Sequence, residues 1–170
     1  MVEIETLVNE GKVSRIKETE LGRYIGFFTE SYKDNFNHAK ANIDSYPRWT
    51  IISGYYAMHD ISKLLIAKIY KFKIEIEVHA TTIKLLRELI KDEETIKLLE
   101  KGYEEFQGLA DDLNDAKKER VKVQYYTGSH FLKEKYKEKS KDFFNNTVKP
   151  FIEKIKKLLE EDKNDDWYFW

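Results

Sequence analysis

Cysteine is absent from this chain of 170 residues, and proline and glycine are scarce, at 2 and 7 residues. The lack of cysteine excludes a disulfide framework, a thiolate metal site and a thiol nucleophile. No apolar run approaches the roughly 18 residues that a membrane span requires, and the first residues lack the order of a signal peptide. We therefore expect a cytoplasmic protein without a membrane segment.

Charged residues are abundant, at 36% of the chain against about 25% in typical domains. With few helix breakers, this balance favours helices joined by short loops. The formal net charge is −1, so there is no global basic footprint for nucleic acid. Residues 117–157, however, hold 13 Lys and Arg against 5 Asp and Glu, so the basic excess is confined to one part of the chain.

Apolar residues recur at spacings of three and four almost everywhere, which indicates amphipathic helices. Helices are predicted over 3–18, 21–44, from Pro47 onward, 79–90, 93–125 and 131–161. Pro150 is expected to kink the last of them near Asn146 to Lys149. Residues 73–79 alternate as a strand would, but without a partner strand in view they are interpreted as an extended connector.

These elements predict an all-α fold, an antiparallel up-and-down bundle of five or six helices. Residues 1–162 are assigned to a single domain because no linker-like stretch divides them. A short acidic and aromatic tail follows at 163–170 and ends in "WYFW". Four aromatic residues left in water would promote aggregation, so the tail should contact its own bundle, a dimer partner or another protein.

An arginine interrupts the apolar stripe of the fifth predicted helix. The stripe runs through Leu109, Leu113 and Ala116, and the next position is Arg120. A guanidinium can hold a phosphate bidentately, but Arg120 could also pair with an acidic residue such as Asp60 or extend to water from the helix end. The nearby lysines admit the same two interpretations, phosphate attraction or a solvated helix end. These are Lys117, Lys118 and Lys122.

The helical pattern resembles the HEPN domain family over roughly residues 20–160. The resemblance is carried by "RWTIISGYYAMHDISKLLI" (48–66), "VHATTIKLLREL" (78–89), "KERVKVQYYTG" (118–128) and "FIEKIKKLL" (151–159). It implies a helical bundle, commonly a homodimer. It also implies either a metal-independent ribonuclease, as in toxin-antitoxin and defence systems, or a non-catalytic binding module, including partners of a small nucleotidyltransferase.

Ribonucleases of that family use an Arg followed, four to six residues later, by a His. Arg120 matches the Arg, but the positions where the motif requires His hold Tyr125, Tyr126 and Thr127. Imidazole titrates near working pH whereas tyrosine does not, so the retained half of the motif is better suited to binding than to cleavage. The resemblance thus implies a phosphate-binding role for Arg120, with Tyr125 and Tyr126 stacking on bases or closing the bundle end.

If RNA is cleaved, Arg120 would stabilise the charge of the transition state, and His59 or a tyrosine hydroxyl would transfer the proton. His59 is the candidate for this acid–base role because it lies on the inner part of the third helix and could approach the helix of Arg120. A lone His there is also commonly a core residue. No His-His or His-carboxylate pair has strong ligand spacing, so neither a metal site nor a cofactor is expected. The prediction that the resemblance implies is an HEPN-like protein that binds RNA or a nucleotide phosphate, either as a catalytically degenerate member or as a weak metal-independent ribonuclease. The alternative is a protein-protein interaction module, for example the partner of a minimal nucleotidyltransferase.

Overall fold

The computed structural model describes the backbone of residues 4–120 and 128–161, and the side chains of residues 4–109 and 136–161. This part of the chain is mostly helical, so the predicted all-α bundle is confirmed. Seven α-helices, two short strands and one π-helical turn follow one another in the described residues. They are α1 (Ile4–Asn9), β1 (Val13–Arg15), α2 (Glu18–Asn42), α3 (Pro47–Tyr70), β2 (Phe72–Ile74), α4 (Val78–Leu89), α5 (Glu93–Arg120), α6 (Gly128–Phe143), the π-turn (Phe144–Val148) and α7 (Lys149–Glu161).

Helix α3 is the centre of the bundle, because it is buried over most of its circumference. It begins at Pro47, as predicted, where the missing N–H costs nothing in a first helical turn. It ends at Tyr70, and the next residue, Lys71, has a left-handed backbone (φ 58°) that lets its N–H bond to the carbonyls of Ala67 and Ile66. The other long helices pack around α3, and their directions decide which residues meet at each end of the bundle.

Helix α5 runs antiparallel to α3. The ring of Tyr55 stacks on that of Phe106, and Met58, one turn further along α3, lies against Gly102, one turn earlier in α5. Tyr55 and Phe106 lie at the same level, and Pro47 precedes Tyr55 by eight residues. Because α5 runs in the opposite direction, it reaches the level of Pro47 about eight residues after Phe106. Its last six residues or so, about 9 Å of helix, therefore extend beyond the start of α3.

Helices α6 and α7 run parallel to α3. Gly54 lies against Phe143 at the end of α6, and the ammonium of Lys68 donates to the carbonyl of Leu159 in α7 at 3.3 Å. An ion pair between Lys139 and Glu105, at 2.7 Å, joins α6 to α5. Helix α7 therefore ends at the same end of the bundle as α3, and the first turns of α6 lie beside the overhanging end of α5.

The predicted helix over 3–18 is wrong beyond Asn9. Gly11 has a left-handed backbone (φ 68°), which ends α1, and Val13 to Arg15 form strand β1. This strand pairs antiparallel with β2, Val13 opposite Ile74 and Arg15 opposite Phe72. The segment interpreted as an unpaired connector thus starts as a paired strand, because its partner lies about 60 residues earlier and local periodicity could not reveal it.

The predicted interruption of the last helix lies at Phe144–Val148, just ahead of Pro150. The backbone there widens to a π-turn, in which the N–H of Lys149 bonds to the carbonyl of Phe144. Proline has no N–H to donate, so the regular bonding of an α-helix cannot continue through it. The turn brings Val148 into the core beside Gly54 of α3 and Phe144 against the ring of Phe36 in α2.

Candidate functional site

Tyr55 lies at the centre of an aromatic and imidazole cluster between α3, α4 and α5. Its ring is 1% exposed and stacks on Phe106 with centroids 4.7 Å apart and planes 19° apart. Burial, with the neighbouring Tyr103 and Tyr56, raises the pKa of its hydroxyl well above the ordinary value. The hydroxyl therefore stays protonated and can donate to Nδ1 of His79, 2.5 Å away.

His79 is the half-buried imidazole of this cluster. Burial lowers its pKa, and the nearby His59 and Lys63 lower it further. A neutral ring that accepts the Tyr55 hydroxyl at Nδ1 carries its own proton on Nε2. The ring of His79 also stacks on that of Tyr103 in α5, with centroids 5.7 Å apart, so α4 is fixed against α5 at this level.

His59, the residue predicted for acid–base chemistry, is buried below His79, with ring centroids 4.8 Å apart. Its Nε2 lies 3.2 Å from the hydroxyl of Thr82, whose proton is donated to the carbonyl of Val78 at 2.7 Å. The Thr82 oxygen must therefore accept from Nε2–H of His59, because its own proton is already donated. Because His59 is 3% exposed, a substrate cannot contact it in this conformation.

The carboxylate of Asp60, next to His59 in α3, joins α3 to α2 through hydrogen bonds. One carboxylate oxygen accepts the Ser31 hydroxyl at 2.6 Å and the Asn35 amide at 3.0 Å. The other lies 3.9 Å from Nδ1 of His59. Asp60 is 7% exposed, so it is a satisfied interior carboxylate joining two helices.

Two exposed rings lie along α3, which we call the aromatic edge and define as Trp49 and Tyr56. Their exposed fractions are 56% and 36%. Tyr56 meets Phe106 of α5 edge to face at 5.5 Å. Trp49 precedes Tyr56 by two helical turns, so it lies on the same side of α3, next to α5. The aromatic edge therefore follows the α3–α5 boundary to the end of the bundle.

The basic end of α5 lies beyond that end of the aromatic edge. Leu109 is 4% exposed and faces the core. Arg120 follows it by about three turns and occupies a position within about 20° of Leu109 around the helix. Lys117 has the same phase relation to Phe106. Both basic positions are thus in register with the inward face of α5, at a level that α3 does not reach.

The structure separates the two residues predicted for catalysis. Met58, adjacent to His59, lies against Gly102, and about five turns of α5, or about 27 Å, separate Gly102 from Arg120. Asp60, an alternative partner for Arg120, is on the His59 side of this gap. The backbone of α5 includes Lys117, Lys118 and Arg120, whereas the predicted binding residues Lys122, Tyr125 and Tyr126 lie outside the described residues.

Sequence reasoning missed Trp49, Tyr56 and His79 as site residues. The seven-residue spacing of Trp49 and Tyr56 was a usable signal, since large rings one heptad apart share a helix edge. No local signal could identify the contact between His59 and His79, because they lie on different helices.

Among the described residues, no three His, Asp or Glu side chains converge in a way that could hold a metal ion. None of the helices in that part of the chain is long and apolar enough to cross a membrane.

Comparisons of the chain with protein-family models, with curated proteins and with solved structures find no match. The HEPN resemblance therefore depends on the sequence segments quoted above.

Proposed function

We propose that this protein binds single-stranded RNA along the boundary between α3 and α5, in the manner that its HEPN resemblance implies. The basic end of α5, with Lys117 and Arg120, holds phosphates. The aromatic edge, with Trp49 foremost, stacks on bases. The observation that carries the proposal is that Trp49 is 56% exposed on the side of α3 next to α5.

An extended ligand fits this arrangement better than a single nucleotide. From the level of Phe106 to Arg120, α5 spans about four turns, or about 21 Å. A chain of several nucleotides covers that distance, with its phosphates at one end and its bases against Tyr56 and Trp49. Base stacking contributes about 1–3 kcal/mol per base and tolerates any base, so little sequence preference is expected.

The residues support binding of RNA without efficient cleavage of it. Metal-independent cleavage needs a group to take the 2′-hydroxyl proton and another to protonate the leaving oxygen. The family's His is absent after Arg120, and His59 is buried and lies at another level of the bundle. His79 is half-buried and nearer the surface, but it lies beside Tyr56, far from the basic end of α5.

The proposal is tested by fluorescence anisotropy with a labelled single-stranded RNA in EDTA. Trp49→Ala removes a stacking platform and should raise Kd about 5-fold to 150-fold. Arg120→Ala should raise Kd at least about tenfold and reduce the salt dependence by about one phosphate contact.

Matched controls are provided by α2. Phe27→Ala removes an aromatic ring that is 64% exposed away from the aromatic edge, and Arg23→Ala removes an exposed cation. Both controls should bind as the wild type does. Equal losses in Trp49→Ala and Phe27→Ala would refute the site. Gel analysis of the same samples shows whether any RNA is cleaved, and cleavage abolished by Arg120→Ala would restore the ribonuclease prediction.

A second candidate is the interaction module, either as a homodimer or with a nucleotidyltransferase partner. Exposed Trp and Tyr residues also favour it, because these residues are enriched at protein interfaces. Under this alternative, wild-type protein does not bind RNA, and Trp49→Ala weakens a protein complex measured by light scattering. RNA affinity that falls steeply with salt distinguishes the first candidate from the second.

A further inference from the structure

An apolar groove of about 710 Å³ opens at the opposite end of the bundle from the proposed RNA site. Helix α1 forms one wall, where Val8 is 42% exposed. The end of α3, strand β2 and the end of α4 form the rest, with Ile69, Phe72 and Leu89 among the lining residues. Exposed apolar residues that line a concave surface are suited to bury further apolar side chains.

Two cations lie at the rim of this groove. The guanidinium of Arg15 is over the ring of Phe72, 4.3 Å from its centroid, and donates to the carbonyl of Tyr70. The ammonium of Lys71 donates to the carbonyl of Lys68 at 2.8 Å. Among the described residues, neither cation has a carboxylate within ion-pair distance, although Glu5 of α1 also lines the groove. An apolar segment preceded by acidic residues would match both features.

Helix α7 ends close to this groove. Lys68, which donates to the carbonyl of Leu159, immediately precedes the lining residue Ile69. Lys154 of the same helix contacts Asp92, three residues after the lining residue Leu89. Helix α7 is therefore flanked by two segments that lead directly into the groove, and it ends at Glu161 beside them.

The segment that follows α7 has the matching composition. Residues 162–170 read "DKNDDWYFW", so two adjacent acidic residues precede four aromatic ones. An extended chain covers at most about 3.3–3.6 Å per residue, so seven residues from Glu161 to Tyr168 span about 23 Å. Because Leu159 contacts Lys68, the residue next to the lining residue Ile69, a segment of that length is sufficient to reach the groove.

We propose that residues 163–170 dock into this groove of their own chain. The aromatic side chains cover Val8, Ile69 and Leu89, and Asp165 and Asp166 meet Arg15 and Lys71. The docked segment would remove from water an apolar surface that the seven helices leave open, and it would hold α1 and the small sheet against the bundle. This proposal is independent of RNA binding, which it places at the other end of α3.

Disulfide trapping tests the docking in the full chain, because a chain without cysteine acquires only the thiols that are introduced. The test variant combines Val8→Cys with Tyr168→Cys. The control combines Phe27→Cys with Tyr168→Cys. Phe27 is a matched control because it is apolar, 64% exposed and on α2, which contacts α7 through Lys156 and Tyr32, yet it lies outside the groove.

The expected result is an intramolecular disulfide under mild oxidation in the Val8 pair, formed about tenfold faster than in the Phe27 pair, because docking raises the local thiol concentration. Adding Arg15→Glu and Lys71→Glu should slow the Val8 disulfide severalfold. Equal rates in the two pairs would overturn the proposal. Disulfide-linked dimers in place of the intramolecular product would assign the groove to a second copy and would also overturn it. Circular dichroism spectra that match the wild type show that each variant is folded.

Discussion

Replacing Gly54 by alanine tests how tightly α3 packs against the π-turn. A Cβ atom at this position would lie 2.8 Å from Cγ2 of Val148 and 3.2 Å from Cε1 of Phe143. The first distance is shorter than real Cβ contacts allow. Both neighbours are buried, at 0% and 1% exposure, so neither can move aside into solvent. Glycine is therefore required here for space, in a helix interior where its backbone freedom is unfavourable.

Two opposing effects set the expected magnitude. Alanine is favoured over glycine in a helix interior by about 1 kcal/mol. Overpacking of a closely packed core typically costs about 1–3 kcal/mol. Since the clash involves two buried side chains that cannot move into solvent, the second effect should outweigh the first. We expect Gly54→Ala to lower the free energy of unfolding by about 1–2 kcal/mol.

Urea denaturation followed by circular dichroism measures this change. Gly26→Ala is the matched control, because Gly26 lies in the interior of α2 and its added Cβ would meet no atom within 4 Å. The control should gain about 0.5–1 kcal/mol, so the two substitutions differ in sign. In a double-mutant cycle, Val148→Ala should reduce the cost of Gly54→Ala. A Gly54→Ala variant as stable as the wild type would refute the packing described here.

Two further predictions concern buried polar groups. The Thr147 hydroxyl is fully buried in the π-turn and has no hydrogen-bond partner among the described residues. Thr147→Val should therefore raise the free energy of unfolding, measured in urea, by about 1 kcal/mol. A loss of stability would show that the hydroxyl is hydrogen-bonded in the folded protein. The pKa of His79 is lowered on folding by burial, His59 and Lys63, so the unfolded chain takes up a proton first as the pH falls through about 6.5. The contribution of neutral His79 to the free energy of unfolding is therefore complete above that pH. It declines as the pH falls further, toward the lower pKa that His79 has in the folded protein. His79→Gln should lose less stability than the wild type between pH 7 and pH 5 in urea titrations, and equal losses would contradict the assignment.

The helices could be predicted because their signals are local. Pro47 starts α3 in both the prediction and the structure, and Pro150 is preceded by the expected interruption. The strand at Val13–Arg15 could not be predicted, because pairing with Phe72–Ile74 depends on residues remote in sequence. Its sequence also continues a helical spacing, and the turn that separates it from α1 contains Gly11 with its left-handed backbone.

The candidate site was less predictable than the fold. The position of Arg120 in phase with Leu109 follows from helical spacing alone, and the described burial of Leu109 agrees with it. The accessibility of Trp49 depends on how the other helices pack around α3, which no local pattern encodes. The burial of His59 likewise depends on α4 packing over it through Thr82, so a helix pattern could place it on an inner face but could not show that substrate is excluded.

The most direct test of the proposed function is the fluorescence of Trp49 during RNA binding. The chain has three tryptophans, so Trp167→Phe with Trp170→Phe leaves Trp49 as the only one. Stacking of a base on its exposed ring should quench its emission as single-stranded RNA is added, with a midpoint that agrees with anisotropy and shifts to higher RNA concentration as salt increases. RNA binding seen by anisotropy without any change in Trp49 emission, or no binding at low salt, would contradict the account.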